Sequence, residues 1–123
     1  MADAPARFKD LCLDALDHQA LADWWCGAIG YVRRDSLEPA DDEPRPVGWP
    51  VPIVDPAGVG PLMWIVPVPE AKTVKNRVHF DVVGDTAALL AAGATMVRFE
   101  DDDIEWDVLA DPEGNEFCVF APE

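Results

Sequence analysis

A strand signal, a capped amphipathic helix, a glycine and a second strand signal occur twice in this chain, about half its length apart. In the first copy Phe8 to Ala15 alternates, with Leu11 and Leu13 on one side and Asp10, Cys12 and Asp14 on the other. Asp17 is placed as an N-cap. Leu21, Trp24, Trp25, Ala28 and Ile29 follow at the spacing of an apolar helix stripe, and Gly30 ends it before the strand signal Tyr31–Arg34. The second copy runs from Arg77–Val83 through the cap Asp85, the stripe residues Leu89 and Leu90, and Gly93 to a strand at Thr95–Phe99. Further strand signals at Val51–Val54, Leu62–Val68, Glu105–Leu109 and after Asn115 complete each half. The pattern predicts an α+β fold of two βαβββ modules, about 7–68 and 76–122, in one domain spanning 1–123. A helix can cover only one face of each sheet, so two such units side by side would form a curved sheet with a concave cleft.

The charge balance narrows the partners. Nine Lys and Arg stand against 24 Asp and Glu, giving a formal net charge of -15, which argues against nucleic acid and against anionic membrane surfaces. No apolar run approaches the roughly 20 residues of a bilayer span. The start Met1-Ala2-Asp3-Ala4-Pro5 lacks the pattern of a secretory signal. Three cysteines without metal-clip spacing fit reduced thiols, so a cytoplasmic location is expected. Cys26, beside two tryptophans, reads as a small apolar filler. Glu38 to Pro46 holds too many prolines and charges for a packed element and is expected to be a mobile acidic loop. Pro69 to Asn76 reads as the connector between halves.

Two strands carry the chemistry. Arg77, His79 and Asp81 share one face of the first, and Glu116 and Cys118 one face of the second, which follows the turn Asp111-Pro112-Glu113-Gly114-Asn115. Leu11, Leu13, Phe80, Val82, Phe117 and Val119 are then left to face the helices. His79 is open to ligand contact or to an ion pair with Asp81. Glu116 is a candidate base or a structural partner of Arg77. Cys118 reads as an inert filler unless a cationic neighbour activates it. Trp24 and Trp25 belong to the helix stripe, whereas Trp64 shares a face with Leu62 and Val66, and Trp106 is its candidate counterpart. His18 is expected to be an exposed residue of the first helical turn.

The Arg77-Val78-His79-Phe80-Asp81 strand and the Asp111 to Cys118 run resemble the small glyoxalase-like proteins of the glyoxalase/bleomycin-resistance/dioxygenase superfamily (the vicinal oxygen chelate fold) over nearly the whole chain. In metal-dependent members of such a family, first and last strands of each module supply the ligands. Carried over, the resemblance places ligands at Asp10 and His79, with Cys118 in the last strand and Glu116 two residues before it. The remaining position falls near Val66, which coordinates nothing. The resemblance thus allows a three-donor set of Asp10, His79 and Glu116 for a divalent ion such as Zn, Ni or Mn. Two histidines in all, one of them His18, leave an iron dioxygenase triad incomplete.

Two functions follow as expectations. One is a small-molecule-binding protein that sequesters a hydrophobic compound, with Arg77, Trp64, Trp106 and Cys118 lining its pocket. The other is a lyase or isomerase in which His79 and Glu116 act as acid and base, with or without a metal. His79, Glu116, Arg77 and Trp64 are expected around one cavity, with Asp10 and Cys118 at its floor. The superfamily resemblance also implies a homodimer.

Overall fold

The computed structural model describes residues 4–37 and 45–123, so most of the expected acidic loop lies outside the described residues. The first module consists of β1 (Leu11–Ala15), α1 (His18–Ile29), β2 (Val32–Arg33), a 3-10 turn (Arg34–Leu37), β3 (Val51–Val54) and β4 (Met63–Pro67). The second repeats it as β5 (Phe80–Val83), α2 (Thr86–Ala91), β6 (Thr95–Arg98), β7 (Asp107–Ala110) and β8 (Glu116–Phe120). Both sheets have the same order, first-last-third-second: β1-β4-β3-β2 and β5-β8-β7-β6. In each, the first and last strands pair in parallel, Leu11 opposite Met63 and Phe80 opposite Phe117, and the other pairs are antiparallel. The α+β fold of two βαβββ modules is therefore as expected. Its strands form two four-stranded ladders.

The caps are those of the sequence pattern. Asp17 accepts from Ala20 N at 3.1 Å, and Asp85 accepts from Ala87 N at 3.0 Å. Gly30 ends α1 in the left-handed region at φ 76°. Two strands are shorter than their signals. The expected strand from Tyr31 keeps only Val32–Arg33 before the chain tightens into the 3-10 turn. β5 begins at Phe80, so Arg77 and Val78 lie in a bend rather than on the strand.

The core joins the modules through α1. Leu11, Leu13, Phe80, Val82, Phe117 and Val119 all pack in one apolar cluster, as the alternation requires. At its centre Trp25 meets Phe117 and Phe80 edge-on, with ring centroids 5.0 and 5.5 Å apart. Trp24 is half-buried against Phe117 and donates its indole N–H to Ala92 O at 2.9 Å, beyond the end of α2. A helix of the first module thus packs on the first and last strands of the second.

His18 is not exposed. It is 6% exposed, and its Nε2 lies 2.9 Å from Val47 O and 3.0 Å from Trp49 O. Residues 47–49 return over the first turn of α1 and bury the imidazole, an arrangement that helix periodicity cannot foresee. No helix among the described residues is long and apolar enough to cross a membrane.

Candidate functional site

The Asp111 turn fastens the fold. Asp111 is 2% exposed, and its Oδ1 accepts from Glu113 N and Asn115 N at 2.9 and 3.0 Å. Its Oδ2 accepts from Trp25 Nε1 at 3.0 Å. Glu113 reaches across as well, accepting from Leu16 N at 2.9 Å and Asp17 N at 3.1 Å. The turn is thereby tied to the residues that lead into α1 and, through Trp25, to the middle of that helix, and Gly114 at φ 91° supplies the backbone conformation it needs.

Away from the helices, the strands of the second module present a different set of groups. His79 immediately precedes β5, Asp81 lies two residues on, and Cys118 of β8 is the register partner of Asp81. His79 Nδ1 is 3.7 Å from Asp81 Oδ1 and 3.8 Å from Cys118 Sγ. The His79 and Asp81 side chains are 41% and 61% exposed, whereas Cys118 is buried. Burial, and then the charge of Asp81, push the Cys118 thiol up, so it rests protonated and unreactive. Trp106 stands beside this group with its ring on Phe120, centroids 5.4 Å apart and planes at 34°.

The other expected site residues are engaged in bonds. Glu116 Oε2 accepts from Asn76 N at 3.0 Å and pairs with Lys72 Nζ at 3.0 Å, which pins the inter-module connector to β8. Its expected partner Arg77 is replaced by these two, because Arg77 lies in the bend. Burial would push the Glu116 carboxyl up, but the Asn76 N–H and the Lys72 ammonium outweigh it, and the carboxyl lies below its ordinary range. Asp10 pairs with Lys9 at 2.6 Å and accepts from Trp64 Nε1 at 3.0 Å. The Lys9 hydrogen bond, against partial burial and with the Trp64 N–H, holds Asp10 low as well. Trp64 is further covered by the Arg34 guanidinium, 5.0 Å from its ring centroid.

These placements divide the expected pocket. His79 and Glu116 line one small cavity of about 100 Å³ with Leu11, Leu13 and Trp25. Arg77 lines a neighbouring cavity of about 400 Å³ with Lys72 and Lys75 of the connector. Trp106 lines a third, of about 270 Å³, together with Asp85, Glu100, Glu105 and Asp107. Trp64 lies on the first sheet, opposite Cys12 and Pro52 in register.

Residues 10–120 match the glyoxalase-like domain family, nearly the full length of the chain. The chain belongs to that family. Solved structures share its fold at low identity. A glyoxalase/bleomycin resistance protein/dioxygenase family enzyme from Burkholderia phytofirmans PsJN is similar with TM-score 0.62 and 16% identity, over 90% of this chain and 94% of that one. A hypothetical protein from S. aureus gives 0.64 and 13%, over 97% and 96%. TnmS3, an antibiotic-binding protein from Streptomyces sp. CB03234, gives 0.59 and 15%, over 98% of this chain and 100% of that one. No protein of curated function matches the sequence.

A divalent ion is what such a family implies, and the donors allow a test of fit. Asp10 and Glu116 are already held by cations and N–H groups. Among the described residues, His79, Asp81 and Cys118 are the group of three whose ligand atoms lie within 4.8 Å of one another. A metal therefore fits the second module's open face through one imidazole, one carboxylate and one thiol. Sequence reasoning placed His79 and Cys118 correctly together but took Asp81 only as an ion-pair partner. It also missed Phe120 as the floor beneath Trp106, although the alternation Glu116, Cys118, Phe120 carried that signal.

Proposed function

We propose that this glyoxalase-like protein binds a flat hydrophobic compound of cationic character, without transforming it, against Trp106. The carrying observation is the Trp106 cavity: an aromatic wall, four carboxylates (Asp85, Glu100, Glu105, Asp107) and, among the described residues, no Lys or Arg in its lining. At about 270 Å³ it suits a ligand the size of a small ring system. Indole faces attract flat cations, and the net charge of -15 concentrates them around the protein. Asp10 and Glu116 support the same reading, since neither carboxylate is free to act as one of two opposed bases. The fold likeness to an antibiotic-binding protein is in keeping with it.

Titration of the protein's tryptophan fluorescence with ethidium, a flat cation, and fluorescein, a flat anion, tests this. Saturable quenching by ethidium alone is expected. Equal response to both dyes, or none to either, refutes the reading.

A lyase or isomerase using His79 and Glu116 is the second reading, favoured by the cavity the two residues share. Turnover of a thiol adduct that is lost in His79→Ala would select it over the binder. The homodimer remains part of the proposal: edge strand β6 leaves Val97 and, just beyond it, Phe99 exposed, a surface a second copy could cover. Light scattering at high salt, where self-repulsion is screened, is expected to give twice the monomer mass, and a monomer there ends that part.

A further inference from the structure

We propose that His79, Asp81 and Cys118 form a three-ligand site for one borderline divalent cation, best suited to Zn2+, contained wholly within the second module. The spacing carries the inference. Tetrahedral zinc with nitrogen or oxygen at about 2.0–2.1 Å and sulfur at about 2.3 Å sets neighbouring ligand atoms about 3.3–3.8 Å apart. His79 Nδ1 lies 3.7 Å from Asp81 Oδ1 and 3.8 Å from Cys118 Sγ. The backbone holds this arrangement: Asp81 and Cys118 are register partners in the parallel ladder, and His79 is two residues before Asp81 on the same face. Small side-chain adjustments would close the set around an ion.

The donor chemistry selects the ion. A thiolate with an imidazole favours zinc over magnesium, calcium or manganese, which prefer oxygen ligands. On binding, the Cys118 Sγ–H bond breaks, an Sγ–metal bond forms and the proton leaves to solvent. Thiolate and carboxylate together then neutralise the dication, and the buried sulfur beside a carboxylate gains a directly bonded positive partner. The exposed flanks of His79 and Asp81 leave a fourth coordination position open to water. This set differs from Asp10, His79 and Glu116, whose two carboxylates are spent on Lys9, Trp64, Lys72 and Asn76. Trp106 adjoins Cys118, so the test uses metal alone, with no other ligand present.

Co2+ serves as the probe because thiolate ligation gives a charge-transfer absorption that the chain's many surface carboxylates cannot imitate. Chelator-treated, desalted protein titrated with Co2+ is expected to develop that band at one equivalent and to lose it on addition of Zn2+. Cys118→Ser should abolish the band. His79→Gln, a change at a part-exposed side chain that spares the core, and Asp81→Asn should each weaken Co2+ binding about tenfold or more, a loss of about 1.4 kcal/mol. Glu116→Gln should leave band and affinity as they were. Absence of the band in the native protein overturns the proposal, as does a band that survives Cys118→Ser and vanishes with Cys12→Ser. Loss of affinity in Glu116→Gln without loss in Asp81→Asn overturns it equally, and returns the ligand set to the one the family resemblance implies.

Discussion

The two modules share a topology and even a turn, yet they put the same parts to different uses. Asp55-Pro56-Ala57-Gly58 precedes β4 as Asp111-Pro112-Glu113-Gly114 precedes β8. In both, the Asp carbonyl accepts from the glycine N–H at 2.9 Å and the side chain accepts from the residue after proline. Gly58 and Gly114 adopt φ of 73° and 91°. Asp55 spends its carboxylate locally, on Ala57, Val59 and Gly60 N–H groups. Asp111 is buried and adds the indole of Trp25 from the other module. The open faces diverge in the same way. On the first sheet, Trp64 is bound to Asp10 and covered by Arg34; on the second, the side chains of His79 and Asp81 remain accessible. Duplication supplied two equivalent faces, and the second module combines the fastening turn with the accessible groups.

Asp111→Ala breaks the comparison most severely. The buried Trp25 indole and the part-buried Glu113 and Asn115 N–H groups lose their acceptor at about 1–3 kcal/mol each, so a loss of about 3 kcal/mol or more is expected in urea denaturation. Asp55→Ala should cost clearly less, because water can reach the groups it serves. Equal losses would mean that the cross-module bond adds nothing. Trp25→Phe keeps most of the aromatic packing while removing the donor. A loss of about 1–2 kcal/mol is expected, and a stability within error of the native protein would show that packing alone joins the modules.

The smallest expected effect concerns Glu116 and pH. Its carboxyl lies below the ordinary value of 4.5, because the Asn76 N–H and the Lys72 ammonium overcome the opposing effect of burial. The stability it contributes is therefore full above that value and fades as pH falls through the lowered one. Glu116→Gln should destabilise the protein at pH 7 and flatten the decline in acid. An unchanged acid limb in the variant would show that Glu116 does not hold the connector.

Much of this architecture is legible in the sequence. Alternation at Leu11 and Leu13, Phe80 and Val82, and Phe117 and Val119 assigns the core face correctly, since a half-buried strand must segregate its side chains. Asp17 and Asp85 are readable as caps for the same local reason. The site is less legible because its geometry depends on contacts distant in sequence. Nothing local tells that Lys72 and the Asn76 N–H will take Glu116 from Arg77, or that residues 47–49 will bury His18. The bend at Arg77 removes it from the face that strict alternation would give it. The repeated Asp-Pro-x-Gly was visible, but only burial distinguishes the turn that fastens from the turn that merely reverses the chain.

The second module, at Trp106, and not the first, at Trp64, is proposed to take the ligand. Ethidium titrations of Trp106→Ala and Trp64→Ala beside the native protein test it most directly. Trp106→Ala is expected to weaken binding by about 1–3 kcal/mol, the worth of burying one large aromatic face, while Trp64→Ala leaves it within a few-fold of native. The reverse order, or full affinity in Trp106→Ala, would contradict it.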